Sequence, residues 1–203
     1  MFILNVLFYF VSQSTFYMNK DKALESVNEI KELMEKSSKF ISVSGLAAIL
    51  AGIYALAGAY FATQVITPET HLIVTLEFMA IIALSVLAAA AVTAGILSYC
   101  KSQKTGQSFF SRLTYRALWN FSLPMLTGGI VCISILMHEY YDILASVMLL
   151  FYGLALVNAS KFTYSSVAWL GYAFICLGAV DCFWAGHSLL FWTIGFGGFH
   201  ILY

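Results

Sequence analysis

Residues 72–100 read LIVTLEFMAIIALSVLAAAAVTAGILSYC, with Glu77 as the only charged side chain. A bilayer crossing takes about 20 apolar residues, within a range of roughly 17–25. This run is long enough to cross and then to tilt or protrude. It sets the terms for the rest of the chain, which has 203 residues, 61% of them from the set AVILMFWYC and only 10% charged. The mean hydropathy is +0.87. Soluble domains are about 45–50% apolar and about 25% charged, so a soluble globular fold is excluded. Disorder is excluded by the same excess of apolar residues.

Five further apolar stretches flank the first. Together the six cover residues 40–62, 72–100, 118–137, 143–159, 165–185 and 189–203. The expected fold is therefore all-α, a polytopic membrane helix bundle of six transmembrane helices. Lysine and arginine fix the expected orientation, because they concentrate on the cytoplasmic side of a membrane protein. The ten are Lys20, Lys22, Lys31, Lys36, Lys39, Lys101, Lys104, Arg112, Arg116 and Lys161. With six spans all of them fall on the side of the N-terminus, which places both termini in the cytoplasm.

Three regions follow. Residues 1–17 are apolar and aromatic and carry no lysine or arginine. They lack the positive n-region and the small-residue cleavage site of a signal peptide. Met18 is the expected native start, with 1–17 an upstream extension; the alternative is an interfacial segment. Residues 18–39 hold half of the charge. Leu24, Val27, Ile30 and Met34 recur at helical spacing, and Glu32–Lys36 and Glu35–Lys39 are i,i+4 pairs in the favourable order. This region is expected to form a cytoplasmic amphipathic helix, with a solvated charged face or a face for a cytoplasmic protein partner. Residues 40–203 form the transmembrane domain, its last span short and expected to be truncated. The net charge of zero leaves no electrostatic footprint for direct nucleic-acid binding.

Small residues recur inside the spans. Ala47, Ala51, Ala55 and Ala59 form one stripe, and Ala90, Ala94 and Ser98 another. Such stripes let helix backbones approach closely. They predict a tight bundle and offer a surface for a homo-oligomer. Gly45 and Gly52 repeat the seven-residue interval of Gly171 and Gly178, a faint internal echo that three repeated hairpins or a parallel repeat would explain. Gly128–Gly129, Gly195, Gly197 and Gly198 are flexible or close-packed points, and Pro124 is a kink point. The four cysteines, Cys100, Cys132, Cys176 and Cys182, form no C-x-x-C pair and read as small membrane-helix residues.

Ionisable residues inside spans are costly and functional by default. Glu77 and Asp181 lie about a turn inside the outer surface, and His200 lies deeper. No basic residue is available on the outer side to pair with the two carboxylates. They must be solvated, protonated, bonded to side-chain donors or bound to a cation. The outer loops add Glu69, His71, His138, Glu139, Tyr140, Tyr141, Asp142 and His187. His138, Asp181 and His187 are the candidate metal ligands on that face, since histidine with carboxylate suits zinc or another divalent cation. The alternative is that these polar residues end helices where water begins. Glu77 and His200 are candidates for a polar pocket. Lys101, Lys104, Arg112 and Arg116 form a basic loop suited to anionic headgroups of the lipid bilayer. No cofactor-binding or catalytic motif occurs.

Four stretches carry a resemblance: EKSSKFISVSG (35–45), ALWNFSLPMLTGG (117–129), FYGLALVNASK (151–161) and FWTIGFGGFHILY (191–203). As a set they resemble a family of small six-span integral membrane proteins of Bacteroidota that has no assigned activity, cofactor or catalytic residues. The resemblance runs from about residue 20 onward. It implies a bacterial inner-membrane location. Genes of that family often neighbour a winged-helix transcriptional regulator, which implies a sensory or regulatory role. Its members begin near the position of Met18 and continue past residue 203 with apolar residues and a charged tail. Three function classes follow. The leading one is a non-enzymatic sensory, regulatory or assembly component. A small-solute or ion transporter would need a polar cavity lined by His200 and the glycines of the third and sixth stretches. A metal-dependent intramembrane hydrolase would need His138, Asp181 and His187 to converge.

Overall fold

The computed structural model describes residues 22–30, 45–66, 72–105, 108–184 and 186–203. Every regular element among them is helical. The chain divides into two units, 1–39 and 40–203. In the first, residues 22–30 form helix α1. Leu24, Val27 and Ile30 recur every three residues along it and are exposed. Met34 and the two i,i+4 ion pairs expected for this region lie outside the described residues.

The second unit contains α2 (Gly45–Val65), α3 (Leu72–Thr105), α4 (Arg112–Met137), a 3-10 turn (Tyr141–Ile143), α5 (Leu144–Ser160), α6 (Ser166–Asp181) and α7 (Ser188–Leu202). Among the described residues four helices are long and apolar enough to cross a membrane: α2, α3, α4 and α5 with its preceding turn. The apolar helices α6 and α7 are shorter. At 1.5 Å per residue the 16 residues of α6 span about 24 Å, against a hydrocarbon core of about 30 Å.

The end of α6 departs from the sequence expectation. The apolar run continues to residue 185, but the helix stops at Asp181. Phe183 N–H donates to the Val180 carbonyl and Trp184 N–H to that of Asp181, i to i−3 bonds that tighten the chain into a turn. Conversely, α3 extends past Cys100 through Lys101 and Lys104 to Thr105. At 34 residues it is about 51 Å long, well over the thickness of a bilayer core. Helix α4 runs through Pro124 as one element. Its start is fixed by Ser111, whose hydroxyl oxygen accepts from the Thr114 N–H at 3.1 Å, an N-cap that satisfies one of the free donors of the first turn.

Helix α5 is the centre. It packs on α4, α6 and α7; α7 in turn carries α2, and α2 carries α3. Leu149, Leu156, Val167, Leu170 and Phe174 make the core, with Leu149 and Phe174 fully buried. Helix α3 lies furthest out, and none of its most apolar stretch is buried. The outward faces are apolar, as with Ile81, Leu126, Ile130 and Trp169.

Glycine decides how closely the helices meet. A Cβ on Gly153 would lie 2.6 Å from the Gly171 carbonyl oxygen, and one on Gly171 would lie 2.7 Å from that of Gly153. The backbones of α5 and α6 therefore touch directly. A Cβ on Gly52 would lie 2.8 Å from the Gly197 carbonyl, so α2 meets α7 in the same way. Ala47, Ala55 and Ala59 are buried within the unit and Ala51 is half-buried. The alanine stripe read from the sequence as a close-packing surface is thus packed largely within the unit itself. The proposed echo is not matched in packing: Gly45 meets nothing within 4 Å, whereas Gly171 and Gly178 both sit against α5.

Candidate functional site

Two pairs of polar side chains are buried where α5 meets α6 and α7. The first joins α5 to α7. The Tyr152 hydroxyl and His200 Nε2 share a hydrogen bond of 2.7 Å. His200 is only 6% exposed. Rings of Tyr152, Phe174 and Phe196 surround the imidazole, with centroid distances of 5.4, 5.4 and 6.3 Å. The ring also lies beside the Gly195 and Phe196 backbone, and among the described residues Nδ1 has no hydrogen-bond partner.

Local sequence explains how His200 reaches this place. Thr193–Phe199 (TIGFGGF) is π-helical, a wider turn that occurs mostly as short insertions, frequently at functional sites. Three glycines in seven residues weaken the α-helical preference. They also clear space: a Cβ on Gly195 would lie 2.5 Å from Leu149 Cδ2, and one on Gly197 would lie 2.5 Å from Leu56 Cδ2. Gly128 in α4 is likewise filled, by Phe151. Of the glycines that a transporter cavity would use, Gly128, Gly195 and Gly197 are packed against side chains of neighbouring helices, whereas a Cβ on Gly129 or Gly198 would meet nothing within 4 Å.

The second pair joins α5 to α6. Ser146 Oγ donates to Asp181 Oδ2 at 2.7 Å. Ser146 is fully buried and Asp181 is 2% exposed. The other carboxylate oxygen, Oδ1, is buried and finds no hydrogen-bond partner among the described residues. Small residues allow the burial. A Cβ on Gly178 would lie 3.0 Å from the Ser146 carbonyl oxygen, so the last turn of α6 lies flat on the first turn of α5.

The other expected ligands go elsewhere. His138 caps α4, its Nδ1 2.8 Å from the Ser134 carbonyl oxygen and its ring stacked on Tyr140. His187 begins α7 and sets its ring edge-on to Trp184 at 5.9 Å. Both are exposed. Among the described residues no three His, Cys, Asp or Glu side chains gather to hold a metal ion, so His138, Asp181 and His187 do not converge. Glu77 is exposed on α3, and among the described residues no hydrogen bond links it to His200. Glu69 and His71 lie outside the described residues.

At the opposite end of α5 and α6, Lys101 Nζ donates to the Tyr164 hydroxyl at 3.3 Å and lies 5.4 Å from its ring centroid. Lys161 donates to Asn158 Oδ1 at 3.3 Å. Lys101 of the basic loop and Lys161 after α5 thus each have a polar neighbour.

Tyr152 and Ser146 are the partners that the sequence reading missed. The signal for Ser146 was present in weak form, since an unpaired Asp181 inside a span demands a donor from another helix. Nothing in the spacing says which helix supplies it. In comparisons with protein-family models, with curated proteins and with solved structures, nothing matches this chain.

Proposed function

We propose that the chain is an integral membrane protein that crosses the inner membrane of a bacterium six times, with α2 to α7 as spans and both termini in the cytoplasm. In this reading it is a non-enzymatic sensory, regulatory or assembly component. The close packing at Gly128, Gly195 and Gly197 is the observation that carries it. Side chains of Leu149, Leu56 and Phe151 lie against Gly195, Gly197 and Gly128 at the helix contacts, and two polar pairs, Ser146 with Asp181 and Tyr152 with His200, bond across them. The one-sided placement of all Lys and Arg residues under six spans supports the orientation. Exposed Leu24, Val27 and Ile30 on α1 support a cytoplasmic partner for the N-terminal unit.

The test joins two assays on the full chain. Proteoliposomes should show no solute or ion flux above empty vesicles. In cells, cross-linkers placed on α1 should capture one reproducible cytoplasmic protein, and Leu24→Asp with Val27→Asp should abolish that capture. Flux with no captured partner would replace this reading with the transporter, which the π-helical turn beside the Tyr152–His200 pair favours.

A further inference from the structure

Asp181 poses a charge problem that the fold does not solve. Its carboxylate is 2% exposed, and its one side-chain hydrogen bond comes from the neutral Ser146 hydroxyl. Oδ1 is left without a partner among the described residues. Burying an ionised carboxylate costs far more than one neutral hydrogen bond returns. Helix ends do not close the gap. Asp181 is the last residue of α6, at the negative end of that helix's dipole, while Ser146 lies in the first turn of α5, at the positive end of the other. Two opposite helix ends side by side largely offset each other. Lys101 and Lys161 are held at the far end of α5 and α6 by Tyr164 and Asn158.

We propose that Asp181 Oδ1, together with the Ser146 hydroxyl oxygen, holds a small monovalent cation of the Na+ class between α5 and α6. The donors are carboxylate and hydroxyl oxygens, hard ligands that suit an alkali or alkaline-earth ion rather than a soft metal. Charge selects between these. One carboxylate neutralises one positive charge, and no cluster of three or more metal-binding side chains is present among the described residues to balance a divalent ion. The site lies at the end of the bundle where α6 finishes. Cys182, Phe183 and Trp184 are exposed there, and Gly186 turns the chain at φ 84° with open space around it. The inference depends on the burial of Asp181 within the bundle and not on the number of spans or on a sensory role.

The experiment measures equilibrium binding of radiolabelled Na+ to the purified full chain in detergent, with choline keeping ionic strength constant. Thermal unfolding is followed on the same samples. Wild-type protein should bind Na+ saturably, in a form displaced by Li+ and not by choline. Its unfolding midpoint should rise by roughly 5–10 °C from Na+-free buffer to a hundredfold excess over the dissociation constant. Asp181→Asn should lose both effects, Ser146→Ala should need several-fold more Na+, and Glu77→Gln should change neither. If Asp181→Asn does not fold, the Ser146→Ala titration decides: an unchanged half-saturation overturns the proposal. So does the absence of saturable binding to folded wild type. A midpoint that follows pH but not Na+ overturns it too, because a proton alone would then neutralise Asp181.

Discussion

The contact between Gly153 and Gly171 makes a sharp test of the packing. In Gly153→Ala the new methyl would lie 2.6 Å from the Gly171 carbonyl oxygen, 2.7 Å from Ile175 Cγ1 and 2.9 Å from the Ile175 backbone nitrogen. Two of these three atoms are backbone and cannot rotate away. Alanine gains up to about 1 kcal/mol over glycine in intrinsic helix preference. Overpacking a tight contact costs about 1–3 kcal/mol, and a backbone neighbour puts this site at the upper end, so the clash wins. The net loss is about 1–2 kcal/mol, which for a chain of this size lowers the unfolding midpoint by roughly 2–8 °C. Gly171→Ala faces the reciprocal contact at 2.7 Å and should lose a similar amount. Because either methyl already forces α5 from α6, the double variant should lose less than the sum. Gly129→Ala is the control, since a Cβ there meets nothing within 4 Å. Thermal unfolding in mild detergent, read by tryptophan fluorescence, measures all four proteins. A Gly153→Ala midpoint equal to that of Gly129→Ala would refute the direct backbone contact.

Tyr152→Phe removes the hydroxyl bonded to His200 Nε2 and leaves a buried ring without side-chain partners, a loss of about 1–3 kcal/mol; Tyr152→Phe combined with His200→Phe should regain part of it in the same unfolding assay. Ser111→Ala removes the N-cap of α4 and should cost about 1 kcal/mol, whereas Ser111→Asp should retain most of the stability. A cysteine placed at Thr105 in a background without the four native ones should resist a membrane-impermeant maleimide added to intact cells and react in inverted vesicles; labelling in intact cells would overturn the proposed orientation.

Composition made the helices legible, because an apolar run has few other ways to satisfy its backbone. The run over residues 72–100 lies wholly within α3 (Leu72–Thr105). What composition hides is where a helix ends among apolar residues. Phe183 and Trp184 are apolar enough to extend α6, yet their i to i−3 bonds close it in a turn. The π-helical turn at Thr193–Phe199 is hidden for a related reason. Its glycines announce weak α-helical preference, but that Leu56, Leu149 and Phe174 of three other helices come to lie against Gly195 and Gly197 is not written in the local sequence. The alanine stripe of α2 was readable as a close-packing surface, and it is one. Whether its partner belongs to the same chain or to a second copy depends on which helices become neighbours.

The buried polar pairs follow from the same close packing. Ser146 and Asp181 are separated by 35 positions and Tyr152 and His200 by 48, so no local spacing joins them. Each pair is placed by glycines nearby. Gly178, one turn before Asp181, brings α6 onto the Ser146 carbonyl, and Gly195, five residues before His200, admits Leu149 beside Phe174. A side chain at either glycine would hold the helices apart and admit water or lipid to the polar group. Glycine thus acts twice in this bundle: it supplies the contact area between α5 and its neighbours, and it seals Asp181 and His200 at places where an uncompensated charge has consequences. The carboxylate that the sequence left without a basic partner has none among the described residues, and its burial is what turns that deficit into a demand for a cation.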